Sequence, residues 1–591
     1  MLKSVFQTNT VLYRGHSITL KMILGWFVFS FLTLFLNVVL PIKSFALNEK
    51  QFQINYDISY VIKENGETEV EQQVFLVNLK NDVVPTNYSF TLKQVKVFDV
   101  SAEANGKKVN VETSDDENGS SFTVPVTNYS IGKDKQNKIT VRYKTNDIAS
   151  KTGNVWYVFI PKINVPDTTE KYDVKVQVPD KFGGKLFFSP VPMTEKKEGT
   201  NTLFYLNKNA FEGTGITAAF GTSQIINFDL KYQVENTGIF YKRFSIPLPP
   251  NIKNYQEVAY TKIDPKPIKI TLDADGNPMA LYILPSKKKL EIDVTGSAKV
   301  FPNQINTEYG GSFLNIPKDL IKKYTGAEKF WDAKSQKIID KAKSLKNESL
   351  NVSKNARLVY NFVIENLTYD FDASKKDFVE RQGGEIALTQ KGSWTCMEFT
   401  DLFIALARAE GIPAREVNGY AINGKEVSKP LALNLKNGDF LHAWAEFYDP
   451  NFGWVQVDPT WGNTSGIDYF SKLDTNHLTL VRRGVDSESP LPAGAYRFED
   501  GKKLIEIDFS EQTNTEIFTP KLEAKKALNL NLLEIIKGHK KYVVKNIGNS
   551  FVYTPQGKVI PPEQSVSIYE NKDSNTLLLS DTNGNTVSIN P

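Results

Sequence analysis

Lys391-Gly392-Ser393-Trp394-Thr395-Cys396-Met397-Glu398-Phe399-Thr400-Asp401-Leu402-Phe403 opens the stretch that decides the fold, and it holds the only cysteine of the 591-residue chain. Phe399, Leu402, Phe403 and Leu406 fall at i, i+3, i+4 and i+7, the spacing of one buried helical face. Thr395 and Glu398 stand at capping-box spacing, in which the threonine serves one orphan amide and the glutamate reaches back to another. Cys396 therefore takes the first helical position. The positive end of the helix dipole favours a thiolate there, so the thiol is expected below its usual pKa, provided a cationic partner offsets Glu398. Gly411 and Pro413 end the helix, one by relaxing the C-cap and the other by forbidding continuation.

Two short strands supply that partner. Residues 440–448 alternate, with His442, Trp444 and Glu446 on one face and Leu441, Ala443 and Phe447 on the other. Residues 449–453 read as a turn, and 453–458 return with Trp454, Gln456 and Asp458 on one face. If 448 faces 452, then 442 faces 458, and any even register keeps imidazole and carboxylate on the same face. A helix bearing a thiol beside a strand bearing an Asp-oriented histidine is the arrangement for thiol acyl transfer. Read singly, Cys396 and His442 are equally compatible with packed core residues. Trp394, Trp444 and Trp461, with Trp454, are candidate walls of a substrate cleft, although tryptophans in such a pattern also serve as core.

Trp394-Thr395-Cys396-Met397-Glu398, Ala405 to Arg415 with Gly419-Tyr420, His442-Ala443-Trp444 and Asp458-Pro459-Thr460-Trp461 together resemble the transglutaminase-like superfamily core. The blocks come in the family's order and are tight over residues 357–461. The resemblance implies a papain-like α+β fold with Cys396, His442 and Asp458 as the triad. It also implies an oxyanion site using the backbone amide of Cys396, with Gln390, six residues upstream, as second donor. Acylation of the thiol by an amide carbonyl is common to two outcomes. Water gives a protease or amidase, and a lysine amine gives a crosslinker. Hydrolysis of a protein or peptide substrate is the favoured expectation, and a non-catalytic scaffold is the alternative from a different class.

The rest of the chain frames that core. A net charge of +4 gives no reason to invoke nucleic acid, and a single cysteine excludes an intrachain disulfide. Lys3, Arg14 and Lys21 precede an apolar run at 22–42, and Ser44-Phe45-Ala46 suits cleavage after Ala46. Residues 1–46 thus read as a signal peptide or a membrane anchor, and the bulk of the chain as exported. Alternation from Phe52, with turns at Asn65-Gly66, Asn105-Gly106 and Asn118-Gly119, predicts an antiparallel sandwich over 47–166. A second β module or extension is expected over 167–305, the catalytic domain over 306–485 and a β-rich region over 486–591. Helices are expected at 317–324, 331–345 and 353–366, the last capped by Ser353. Asp273-Ala274-Asp275-Gly276-Asn277 resembles the start of a calcium loop, but no glutamate stands at the twelfth position, so a hairpin turn is expected, and likewise for 581–585. No metal or cofactor is called for.

Overall fold

The computed structural model describes residues 51–591, apart from 94, 117–118, 162–167, 211–214, 222, 374–378, 422–433, 436–438, 466, 499–502, 511–519, 555–558, 572–575, 582–585 and 591. The apolar run at 22–42 and most of the 581–585 turn lie outside the described residues. No helix among those described is long and apolar enough to cross a membrane.

Alternating burial along Phe52–Ile62 and Thr68–Asn78 makes the first hairpin, with Tyr56 opposite Val74. Its turn places Gly66 at φ +92°, where a side chain would be strained and would press on the Ala149 carbonyl. The sandwich does not end near 166. Tyr172–Pro179 adds in parallel beside Phe52–Ile62, while Lys185–Ser189 and Ile216–Phe220 build the opposing sheet. One core runs from Tyr56 to Phe220 between the two sheets. Periodicity locates strands but carries no information about their neighbours, and a parallel partner far along the chain has no local signature.

The next module is built on Gln224–Glu235, paired along its whole length with Lys289–Val300, with Gln256–Asp264 outside. Its fourth strand is Ile505–Ser510, which arrives from much later in the chain to lie against Gln224–Glu235. A boundary at 486 therefore cuts this sheet. The Asp273–Asn277 segment is a hairpin turn between Lys269–Leu272 and Pro278–Leu284, with Asp273 Oδ1 accepting from the amides of Asp275 and Asn277. The remaining C-terminal strands form two small sheets over a core of their own, including Tyr542, Val544, Ile560 and Leu579.

Between these lies an α+β unit. Its helices are α1 (Val352–Asn366), α2 (Gly384–Thr389), α3 (Cys396–Ala409) and α4 (Pro459–Ser465). Its strands are β1 (Ala414–Ala421), β2 (His442–Asp449), β3 (Gly453–Val457) and β4 (His477–Arg483), in the order β3-β2-β1-β4. Helix α3 is buried along nearly its whole length, with Phe399, Leu402, Phe403 and Leu406 in the core against α1 and the sheet. Two further helices, Lys318–Tyr324 and Gln336–Leu345, precede α1. The second starts later than 331 because Trp331 is committed elsewhere, its indole donating to Asp401 Oδ1 at 2.9 Å. Asn351, not Ser353, caps α1, accepting from the Lys354 amide. Ser353 instead donates to buried Asp449 at 2.6 Å.

Close approach fixes one glycine. Gly419 on β1 faces His442 across the sheet, and a methyl there would run into the Leu478 carbonyl of β4 and, at 2.7 Å, into the Trp444 ring. Gly419→Ala is expected to destabilise this unit by about 1–3 kcal/mol through overpacking. A urea midpoint indistinguishable from wild type would show that the sheet relaxes around the added carbon.

Candidate functional site

Helix α3 begins as its sequence dictates. Thr395 is the N-cap, and Glu398 Oε2 accepts from the Thr395 amide at 3.1 Å and its hydroxyl at 2.8 Å. The other oxygen of Glu398 accepts from the Gln382 amide at 3.0 Å. Cys396 is the first helical residue and has no exposed surface, packing against Ala443 and Met397. The Ala443 amide donates to its sulfur. Burial nevertheless pushes the thiol well above its ordinary range, and the charges of Glu398, Asp458 and Glu416 add to the effect. The expected low-pKa thiolate is thus reversed: complete desolvation outweighs the partial charge of a helix end.

The β2–β3 hairpin is shifted by two residues from the expected register. Tyr448 faces Trp454 and Ala445 faces Val457, so position 458 extrapolates opposite Trp444 rather than His442. The even shift preserves the face. His442 Nε2 lies 2.8 Å from Asp458 Oδ2, and both residues are buried. His442 Nδ1 is buried and has no hydrogen-bond partner among the described residues.

Asp458 is held by the next element. Pro459 occupies the first turn of α4, and Asp458 Oδ1 accepts from the Trp461 amide at 3.0 Å, the geometry of an N-cap. Tyr360 from α1 and the Gly462 amide both donate to the Asp458 carbonyl. A side chain at Gly462 would displace the Tyr360 hydroxyl. Oδ2 is shared: besides His442 it meets His477 Nε2 at 3.2 Å. Burial alone would raise this carboxyl, but the charge and hydrogen bonds of His442 and His477 hold it at about 2.

His477 is the residue that sequence reasoning missed. Its Nδ1 lies 2.9 Å from Asp474 Oδ1, so both ring nitrogens face carboxylates. Burial would lower its pKa, yet Asp474 and Asp458 outweigh burial and raise it above its ordinary value. Asp474 is itself oriented by the Tyr469 hydroxyl at 2.8 Å. The Asp474-x-x-His477 spacing was the available signal, but the strand alternation of 477–483 hides it.

The tryptophans divide. Trp444 and Trp461 are fully buried and stack on the His442 ring at 5.9 and 5.6 Å, so they frame the imidazole instead of lining a cleft. Trp444 is oriented by its indole bond to Gln456 Oε1. Trp394 keeps some exposed surface and is tied by backbone bonds to Thr368 and Asp370. Trp454 carries the Arg415 guanidinium 3.9 Å above its ring. Gln390 is exposed at the C-cap of α2, whereas the thiol is enclosed. His442, Asp458 and His477 have ligand atoms within 4.8 Å of one another. Their mutual contacts at 2.8 and 3.2 Å are hydrogen-bond distances.

Residues 339–459 match the transglutaminase-like superfamily model, a span that includes Cys396, His442 and Asp458. This part of the chain is a transglutaminase-like domain. An uncharacterized Bacillus subtilis protein, YebA, is 26% identical over 198 residues, covering 33% of this chain and 25% of the relative. A Pseudomonas aeruginosa protein-glutamine gamma-glutamyltransferase is 38% identical over 66 residues, 11% of this chain and 10% of the relative. The chain thus spans a quarter or less of the length of these two relatives. A solved Cytophaga hutchinsonii protein aligns over 49% of this chain and 99% of its own at 15% identity, with a TM-score of 0.31.

The carboxylate–imidazole chain makes stability pH-dependent on two sides. Asp458, depressed to about 2, contributes stability present above the unfolded value of about 3.9 and lost as pH falls toward 2. His477, raised, contributes stability present in full below about 6.5 and lost as pH rises through its higher folded value. His477→Ala leaves two buried carboxylates without their cation, at a cost of about 3–5 kcal/mol. Urea midpoints measured across pH should lose their alkaline-side decline in this variant. A variant that matches wild type at every pH would show that His477 carries no charge.

Proposed function

We propose that this chain is an exported thiol enzyme that opens peptide or side-chain amides of protein substrates through a cysteine thioester, which water then hydrolyses. The observation that carries the reading is the half-satisfied imidazole of His442. Its Nε2 is bonded to Asp458, which fixes the proton on that nitrogen and leaves the buried Nδ1 lone pair unengaged. Ala443, the next residue, touches the thiol through both its side chain and its amide.

The chemistry follows from that tautomer. Nδ1 takes the thiol proton as sulfur attacks the amide carbonyl, so the reaction does not need a preformed thiolate. The tetrahedral oxyanion is served by the Cys396 backbone amide at the start of α3. The proton passes from Nδ1 to the leaving amine as the C–N bond breaks. Water then attacks the thioester with His442 again as base, and the thiol and a carboxylic acid are released. Because Cys396 has no exposed surface, substrate must gain access to it before acylation.

A second reading, capture of the thioester by a lysine amine, is favoured by the 66-residue similarity to a protein-glutamine gamma-glutamyltransferase. Incubation with glutamine-containing peptides and proteins, with and without a labelled primary amine, separates the two by product mass. Deamidation or chain cleavage exceeding label incorporation is expected, and His442→Ala or Asp458→Asn should slow it by at least about a thousandfold. Label appearing on glutamine faster than hydrolysis would replace the hydrolase reading. Activity that survives Cys396→Ala would remove the thioester from either scheme. The export reading predicts a mature chain beginning at Leu47 or an intact membrane-bound one, and N-terminal sequencing of native protein checks it.

A further inference from the structure

We propose that the C-terminal β domain carries a tip that inserts into a membrane surface bearing anionic lipid. Between the strands Leu522–Ala527 and His539–Asn546, the chain makes a short excursion around the helical turn Leu532–Ile536. Leu528, Leu530, Leu532, Leu533, Ile535 and Ile536 stand on it, each between 47 and 81% exposed. None of the helical residues is buried. No other run of nine residues among those described holds as many exposed large hydrophobic side chains. Six large aliphatics within nine residues exceed the scattered apolar exposure of an ordinary surface.

The excursion is shaped rather than slack. Asn531 caps the helical turn, accepting from the Leu533 and Glu534 amides, and Asn529 donates to the His539 carbonyl at 2.9 Å. These bonds close the loop on its own polar groups, so the leucines are directed outward while the backbone is satisfied. Charge selects the partner. Lys525 and Lys526 end the first strand and Lys541 faces Ala527 at the start of the second, so lysines ring the base of the apolar tip. Lys537 closes the helical turn on the tip itself. The lone acid on the tip, Glu534, is taken up by Lys537 at 3.1 Å and His539 at 2.6 Å. With the aliphatics below the headgroups, the lysines at the base would sit at the level of lipid phosphates. The contact is separate from residues 1–46 and would set the orientation of the β domain at the surface.

The test must distinguish this tip from any binding by the N-terminal segment. Full-length protein carrying Cys396→Ser and Leu532→Cys is labelled with an environment-sensitive fluorophore, and a companion carries the label at Thr113→Cys, exposed in the first sandwich. Each is mixed with phosphatidylcholine vesicles, alone or with roughly one third phosphatidylglycerol. On anionic vesicles the 532 label should shift to the blue and be quenched by acyl-chain quenchers, while the 113 label does neither. Combined Lys525→Gln, Lys526→Gln and Lys537→Gln changes should weaken the 532 response roughly a hundredfold, at about one surface lysine's worth each. A 532 label that stays in water while the chain is vesicle-bound would overturn the proposal. An equal response on neutral vesicles would overturn the anionic assignment. A blue shift caused by a soluble protein and by neither vesicle type would assign the tip to a protein groove instead.

Discussion

One buried carboxylate holds the site together. Asp458 offers two oxygens to three donors: the Trp461 amide on Oδ1, and the His442 and His477 imidazoles on Oδ2. Each donor constrains a different element. The amide makes Asp458 the N-cap of α4, which sets where the chain leaves β3. The His442 bond fixes the tautomer and plane of the ring at the head of β2. The His477 bond ties in β4, so three separated segments are positioned by a single side chain. Removing any donor would leave a buried charge less compensated, a far larger penalty than the loss of a surface ion pair.

Comparison of Asp458 with Cys396 shows what burial does when compensation differs. Both are completely buried. His442 and His477 overcome desolvation at Asp458 and hold its carboxyl low, whereas the single Ala443 amide does not overcome it at Cys396. The helix dipole is the weaker influence here because its capping glutamate brings an opposing charge to the same end. Arg381 ties Asp401, on the same helix α3 as Cys396, to Glu416 of β1, so the helix cannot slide along the sheet without breaking a buried ion network.

Local chemistry was legible in the sequence and long-range pairing was not. The capping box at Thr395 and Glu398, the face of α3, and the shared side of His442 and Asp458 all follow from spacing alone. The exact pairing of β2 with β3 did not, since a two-residue shift leaves every alternation unchanged. Trp444 and Trp461 look alike in a cleft or a core by spacing alone, and their burial and stacking on the His442 ring are visible only in the folded chain. His477 escaped because an aliphatic strand surrounds it, and its partner Asp474 reads as a turn residue. The β-module boundaries failed for a related reason. Tyr172–Pro179 joins in parallel to a strand more than a hundred residues earlier, and Ile505–Ser510 returns to a sheet begun near 224.

That return has a consequence for the site. The middle β module does more than tether the α+β unit, because its core incorporates Leu441, Leu478 and Leu480 of that unit along with Ile505 and Phe551. Leu441 directly precedes His442, and Leu478 directly follows His477. With successive side chains pointing to opposite faces, each histidine is turned toward Asp458 by a neighbour anchored in the module. The Asp273–Asn277 turn adds polar links: Asp275 accepts from the Gly484 amide at 2.9 Å, and its carbonyl accepts from buried Arg415. Arg415 in turn pairs with Glu446 on β2. The geometry around Asp458 is therefore set between two cores, and the module that supplies one of them is as much a part of the site's construction as the helix that carries the thiol.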